Sequence, residues 1–259
     1  MEQKLISNSI FHMKKQHKAP GFSLVELSIV IVIIGLIVSS ILVGQNLIRS
    51  AEIRALVSQY ESFNNATATF RDKYSALPGD IDANGRYNFG LAEASVVENG
   101  LLQDATPAHA DHNGEYTLFW NHLGTGGANL IKNSYAGGAI TASLDTTLPQ
   151  SEVGGYWGTF STSSGDNYFI FGAAHNGTDA TWMTEDIISP QDLFTVDRKI
   201  DDGKPGRGIL RAQDGHATQP LTAPDAAGAD ACATAATADG DYDLTITEPT
   251  CSFSIKMRI

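Results

Sequence analysis

One carboxylate stands at the entrance of an otherwise uncharged apolar run. Residues 22–43 carry a single ionisable side chain, Glu26, five places after Gly21. A helix of about 20 apolar residues crosses a hydrocarbon core of about 30 Å. A carboxylate costs roughly 2.5–3.5 kcal/mol at the centre of such a span and less near its end. A charge kept there is a functional hypothesis by default. Lys14, Lys15 and Lys18 precede the run.

Other side chains fall in patterns that hard cations use. Asp197, Asp201 and Asp202 lie at the end of a predicted helix. Negative charge is disfavoured at a helix C-terminus, and a bound cation would relieve it; a solvated turn is the alternative. Asp80, Asp82 and Asn84 form D-x-D-x-N-G with Gly85, the first half of an EF-hand loop, in which oxygen ligands alternate. The twelfth position is Leu91 in place of the bidentate glutamate, so a solvated Asx-rich turn competes with this reading. His109, Asp111 and His112 have zinc-like spacing and read equally as a solvated loop. Two cysteines occur, Cys232 and Cys251. No phosphate-binding G-x-x-x-x-G-K-[ST], H-E-x-x-H or G-x-S-x-G is found in the sequence. No acid/base pair stands out among the carboxylates, and the chain reads as a non-enzyme.

Composition bounds the rest. The chain has 259 residues and a formal net charge of −12. Residues 1–21 hold four lysines and one glutamate, which leaves about −15 on the remainder. Such an acidic chain argues against broad nucleic-acid binding, which needs clustered Lys and Arg. By the positive-inside rule the lysines before the apolar run stay cytoplasmic. Everything after residue 43 then lies outside the cytoplasm, where a disulfide persists. A Cys232–Cys251 bridge is expected on that ground, with two buried thiols as the alternative.

The elements that position these groups follow from period. Ile53, Leu56, Tyr60, Phe63, Thr67, Phe70, Tyr74 and Leu77 recur at steps of three and four, one helical stripe. No proline falls between Pro20 and Pro78, so helix is expected to run from the membrane segment to about residue 74. The aromatic stripe is expected to pack on a domain of the same chain rather than in a coiled coil. Pro78-Gly79-Asp80 ends the helix. Short helices are read at 91–102 and 115–123, with a further turn at 128–131. Residues 156–160 and 168–171 are β-rich runs around Ser163-Ser164-Gly165-Asp166-Asn167, a hairpin signal. Their aromatics read as sheet core; Trp157 and Trp182 are the two with a carbohydrate-facing alternative. Ser189-Pro190-Gln191-Asp192 has the cap, proline and acid of a helix start. Residues 208–213 read as a strand. Residues 242–247 and 251–257 alternate as two half-buried strands, expected to form a C-terminal hairpin. The fold class is α+β: a long N-terminal helix, transmembrane in its first half, packed on a β-rich globular domain with short helices.

G-F-S-L-V-E followed by an apolar run resembles the N-terminus of prepilins, the type IV pilins and type II secretion pseudopilins. The resemblance is specific over residues 14–74 and loose beyond. It implies a leader at 1–21, cleavage after Gly21 by a membrane prepilin peptidase and N-methylation of Phe22. It implies a transmembrane and filament-core helix at 22–44, an amphipathic continuation at 45–77 and an exported domain at 78–259. Glu26 would neutralise the Phe22 ammonium of a neighbouring subunit during assembly. The implied partners are the peptidase, identical or related pilin subunits, an inner-membrane assembly platform and the membrane. The precursor would sit in the bacterial inner membrane and the product in an extracellular or periplasmic filament. Adhesion and secretion are among the uses of this scaffold. A cleaved secretory signal, a plain membrane anchor and a non-polymerising glycan- or calcium-binding module are the rival readings.

Overall fold

The computed structural model describes residues 21–81, 98–102, 114–137, 144–162, 164–174, 183–214, 232–235 and 239–259. The chain divides into two compact units, Met1–Leu47 and Ile48–Ile259. Helix α1 (Leu24–Tyr74) begins in the first and ends in the second. In the first unit, the apolar side chains from Leu24 through Val43 are exposed. This is a helix long and apolar enough to cross a membrane. Ser28, Ser39 and Ser40 donate their hydroxyls to the carbonyls of Val25, Gly35 and Leu36, at 2.8–2.9 Å. These polar groups are therefore satisfied within the helix itself, as a lipid environment demands.

The second unit is built on the other half of α1. Ile53, Leu56, Tyr60, Phe63, Ala66, Thr67 and Phe70 are buried along one face, the stripe read from the period. The helix stops at Tyr74, and Ser75 turns left-handed (φ 58°). The stripe meets aromatic partners on α2 (Glu115–Leu123) and on the sheet. Phe63 packs edge-on against Trp120 at 4.9 Å and Trp157 at 5.8 Å, and Tyr60 against Phe169 at 6.0 Å. Each such side chain contributes roughly 1.5–3 kcal/mol by burial. Trp157 is completely buried and its Nε1 donates to Gln59 Oε1 at 3.3 Å, so it faces core and not a sugar. Residues 128–131 form no helical turn. They fold back instead, with the N–H groups of Ala128, Leu130 and Ile131 donating to the carbonyls of His122 and Leu123. A one-turn helix α3 (Leu144–Thr147) precedes the sheet.

The sheet has four antiparallel strands in the order β1-β2-β4-β3. Strands β1 (Tyr156–Ser161) and β2 (Asn167–Gly172) form the expected hairpin, closed by Thr162 N–H donating to Asp166 O and by Gly165 at φ 90°. Helix α4 (Pro190–Ile200) follows, then β3 (Leu210–Asp214) and β4 (Cys251–Lys256). The terminal hairpin is not formed. Residues 242–247 form no strand: Leu244 and Thr245 turn, and Tyr242 makes an isolated bridge to Ala233. Asp243 is the reason: its Oδ1 accepts from both the N–H and the hydroxyl of Thr245, a local loop that competes with a strand ladder. Leu244 is exposed, so the alternation there did not encode burial. Strand β4 is instead inserted between β2 and β3, with Cys251, Phe253 and Ile255 completely buried.

Candidate functional site

The first candidate lies at the start of α1. Ser23 caps the helix: its Oγ accepts from Val25 N–H at 3.3 Å, while the Ser23 N–H donates to Glu26 Oε2 at 2.8 Å. This is a capping box, in which two of the four orphan N–H groups of a helix start find side-chain acceptors. Glu26 thus already has an intramolecular role, at the end of the helix dipole that favours negative charge. The S-x-x-E spacing that signals this box stands in the sequence, and the charge reading of Glu26 alone overlooks it. Gly21 and Phe22 precede the helix, and Phe22 is almost wholly exposed.

The second candidate is the end of α4. Ser189 accepts from Asp192 N–H and Pro190 occupies the first turn, the helix start that the residue pattern predicts. At the other end the Asp201 N–H donates to Asp197 O at 2.6 Å. Asp197 is completely buried, Asp201 half-buried and Asp202 exposed, and one oxygen of each lies within 4.8 Å of the others. Burial pushes the Asp197 carboxyl up to about 7; Tyr242 and the Gly203 backbone amide oppose this, and Asp201 and Asp202 add to it. The Tyr242 hydroxyl donates to Asp197 Oδ2 at 2.8 Å. Asp201 Oδ2 accepts from the N–H groups of Ile209 and Leu210. Asp202 accepts from Lys204 N–H at 2.9 Å and from Arg207 Nε at 2.8 Å. Gly208 makes this approach feasible, since a Cβ there would sit 1.8 Å from Asp201 Oδ2 and the backbone is left-handed (φ 80°).

Of the EF-hand-like residues, Asp80 is described and is not part of this cluster. Asp80 is buried, and its two oxygens accept from Asn99 N–H at 3.1 Å and Gly100 N–H at 2.6 Å. Burial raises its pKa, against the pull of those two amides. It serves as a staple between the end of α1 and residues 98–100. Asp82, Asn84, His109, Asp111, His112 and Trp182 lie outside the described residues, as do most of the short helix read at 91–102. Cys232 and Cys251 are disulfide-bonded across 19 residues, tying the segment before Tyr242 to the central strand β4.

No curated protein and no solved structure matches the chain. Residues 16–42 match the family model for the prokaryotic N-terminal methylation motif. That match covers Gly21, Phe22 and Glu26 together with most of the exposed apolar half of α1. The chain therefore carries at its N-terminus the hallmark of type IV pilins and pseudopilins.

Proposed function

We propose that this chain is a pilin-like subunit, cut after Gly21, methylated on Phe22 and assembled into a cell-surface or periplasm-spanning filament. The observation that carries the reading is Glu26, the one charge in residues 22–43, within a matched methylation motif. In the membrane its cost is limited by the Ser23 N–H it accepts. Cleavage turns the Phe22 amide into an ammonium, and the same carboxylate can then meet that group on a neighbouring subunit. An unpaired charge in an apolar filament core is costly, so this pairing sets the axial register. The exposed apolar half of α1 supplies the helix-to-helix surface that replaces lipid. The Cys232–Cys251 bridge favours a pilus subunit over a secretion pseudopilin, since a disulfide-bounded C-terminal region resembles that of many pilins.

The test is to shear surface filaments from cells, identify their subunits by mass and sequence the N-terminus. N-methylated Phe22 as the first residue of a filament component is the expected result. A chain found only in membranes with Met1 intact would defeat the proposal.

A further inference from the structure

Four Asn-Gly pairs occur in the sequence, and Asn99-Gly100 is the one that lies wholly within the described residues. An asparagine followed by glycine can close on itself. The glycine nitrogen and the asparagine Cγ are the two ends of a five-membered ring, separated only by C, Cα and Cβ. Both residues are exposed, and a Cβ at Gly100 would meet nothing within 4 Å, so no packing bars the closure. An open cavity of about 560 Å³, lined by Arg71, Asp80, Asn99 and Gly100 among others, admits water beside the pair.

The hydrogen bonds around this pair are those a ring closure needs. Gly100 N–H donates to Asp80 Oδ2 at 2.6 Å. A general base has to lie within about 2.6–3.2 Å of the atom whose proton it takes, and this carboxylate does. The N–H lies in the peptide plane, whereas the nitrogen attacks through the face of that plane. The carboxylate can therefore hold the proton while the face meets Cγ. The other Asp80 oxygen accepts from Asn99 N–H at 3.1 Å, and Asp80 is buried, so the base is fixed across the pair. Negative charge develops on Asn99 Oδ1 during attack. That oxygen accepts from Leu101 N–H at 2.8 Å, a contact of the oxyanion-hole type.

We propose that Asn99 is a site of self-modification, converted through a succinimide to aspartate or isoaspartate with Asp80 as the base. Gly100 N bonds to Asn99 Cγ as its proton passes to Asp80. The tetrahedral centre collapses and expels the side-chain nitrogen, which takes that proton back and leaves as ammonia. Water then opens the ring at either carbonyl. One water is consumed, one ammonia is released and nothing is oxidised or reduced. The product adds a negative charge beside Asp80 and Glu98, and isoaspartate adds a methylene to the main chain. Both changes work against the staple that Asp80 makes between the end of α1 and residues 98–100. The reaction is independent of filament assembly.

The experiment keeps the full chain in detergent at neutral pH in heavy-oxygen water, either folded or unfolded in guanidinium. The peptide that spans residue 99 is followed by mass, and isoaspartate is identified by isoaspartyl methyltransferase labelling. A product carrying one heavy oxygen is expected, formed about tenfold or more faster in the folded chain than in the unfolded one. Asp80→Asn keeps an acceptor oxygen without the base, and the folded rate is expected to fall by about the same factor. A folded rate equal to or below the unfolded one overturns the proposal, and that comparison needs no variant. An unchanged folded rate in Asp80→Asn overturns it as well.

Discussion

Glu26 has two separable functions, and substitutions distinguish them. As the acceptor for Ser23 N–H it belongs to a capping box, whose loss costs about 1 kcal/mol of helix stability. As a charge it is the one group in residues 22–43 that can pair with an amine. Glu26→Ala is expected to insert into membranes normally and to abolish filament yield, measured by shearing and immunoblot. Glu26→Gln keeps a cap acceptor without the charge. If it too yields no filaments, charge pairing is the requirement; if it restores them, the cap is. Asp197 supplies a pH signature. Its folded pKa of about 7 lies above the unfolded value of about 3.9, so the native state binds the extra proton between the two. The contribution to stability is therefore full below about pH 4 and is lost as pH rises to about 7, after which it levels off. Denaturant midpoints should fall across that window, and Asp197→Asn should flatten the slope. A midpoint that rises with pH in the parent chain and is unchanged in the variant contradicts this.

Two elements bear most of the architecture, α1 and β4. The second half of α1 supplies the stripe on which α2 and the sheet are packed, and Phe63 touches the rings of both Trp120 and Trp157. Phe63→Ala is expected to destabilise the fold by about 3–5 kcal/mol through the cavity it leaves, read as a drop in Tm. An exposed neighbour such as Glu61→Ala should change little. Strand β4 is central because both of its faces are covered: Phe253 and Ile255 on one, Ser252 and Ser254 on the other, with Ser252 Oγ donating to Thr184 O. Its first residue is Cys251, which also bridges to Ile188 ahead of α4. Removing the disulfide frees the 232–251 loop in the unfolded state. Cys232→Ser should cost about 3 kcal/mol on chain-entropy grounds, seen as a lowered denaturant midpoint. The same treatment of the parent chain with reductant should reproduce it.

The molecule consists of a unit whose apolar side chains are exposed and a unit with its own aromatic core. A chain starting at Ile48 is therefore expected to be soluble without detergent, monomeric by size exclusion and cooperative in unfolding. Aggregation of that chain with reduced disulfide formation would show that the core depends on the earlier residues. What the residues alone disclose about this protein is whatever repeats within one element. The apolar run after Gly21, the three-four stripe from Ile53 to Phe70, the β1–β2 hairpin and the Ser189-Pro190 helix start were all legible, because each pattern is complete in a few adjacent turns of chain. The S-x-x-E box at Ser23 was equally local and needed only the backbone count to be noticed. Distant neighbours decided the rest. Residues 242–247 alternate as a strand would, yet Asp243 closes a local turn, and the ladder partner of β4 comes from β2 and β3. Asp80 carries the signature of a cation loop but gives both oxygens to the amides of Asn99 and Gly100. The burial of Asp197, which separates it from half-buried Asp201 and exposed Asp202, goes with a bond from Tyr242, 45 residues away. Period and caps act through adjacent backbone and can be read in line; burial and strand order are set by which distant surfaces meet, and only the tertiary structure records that.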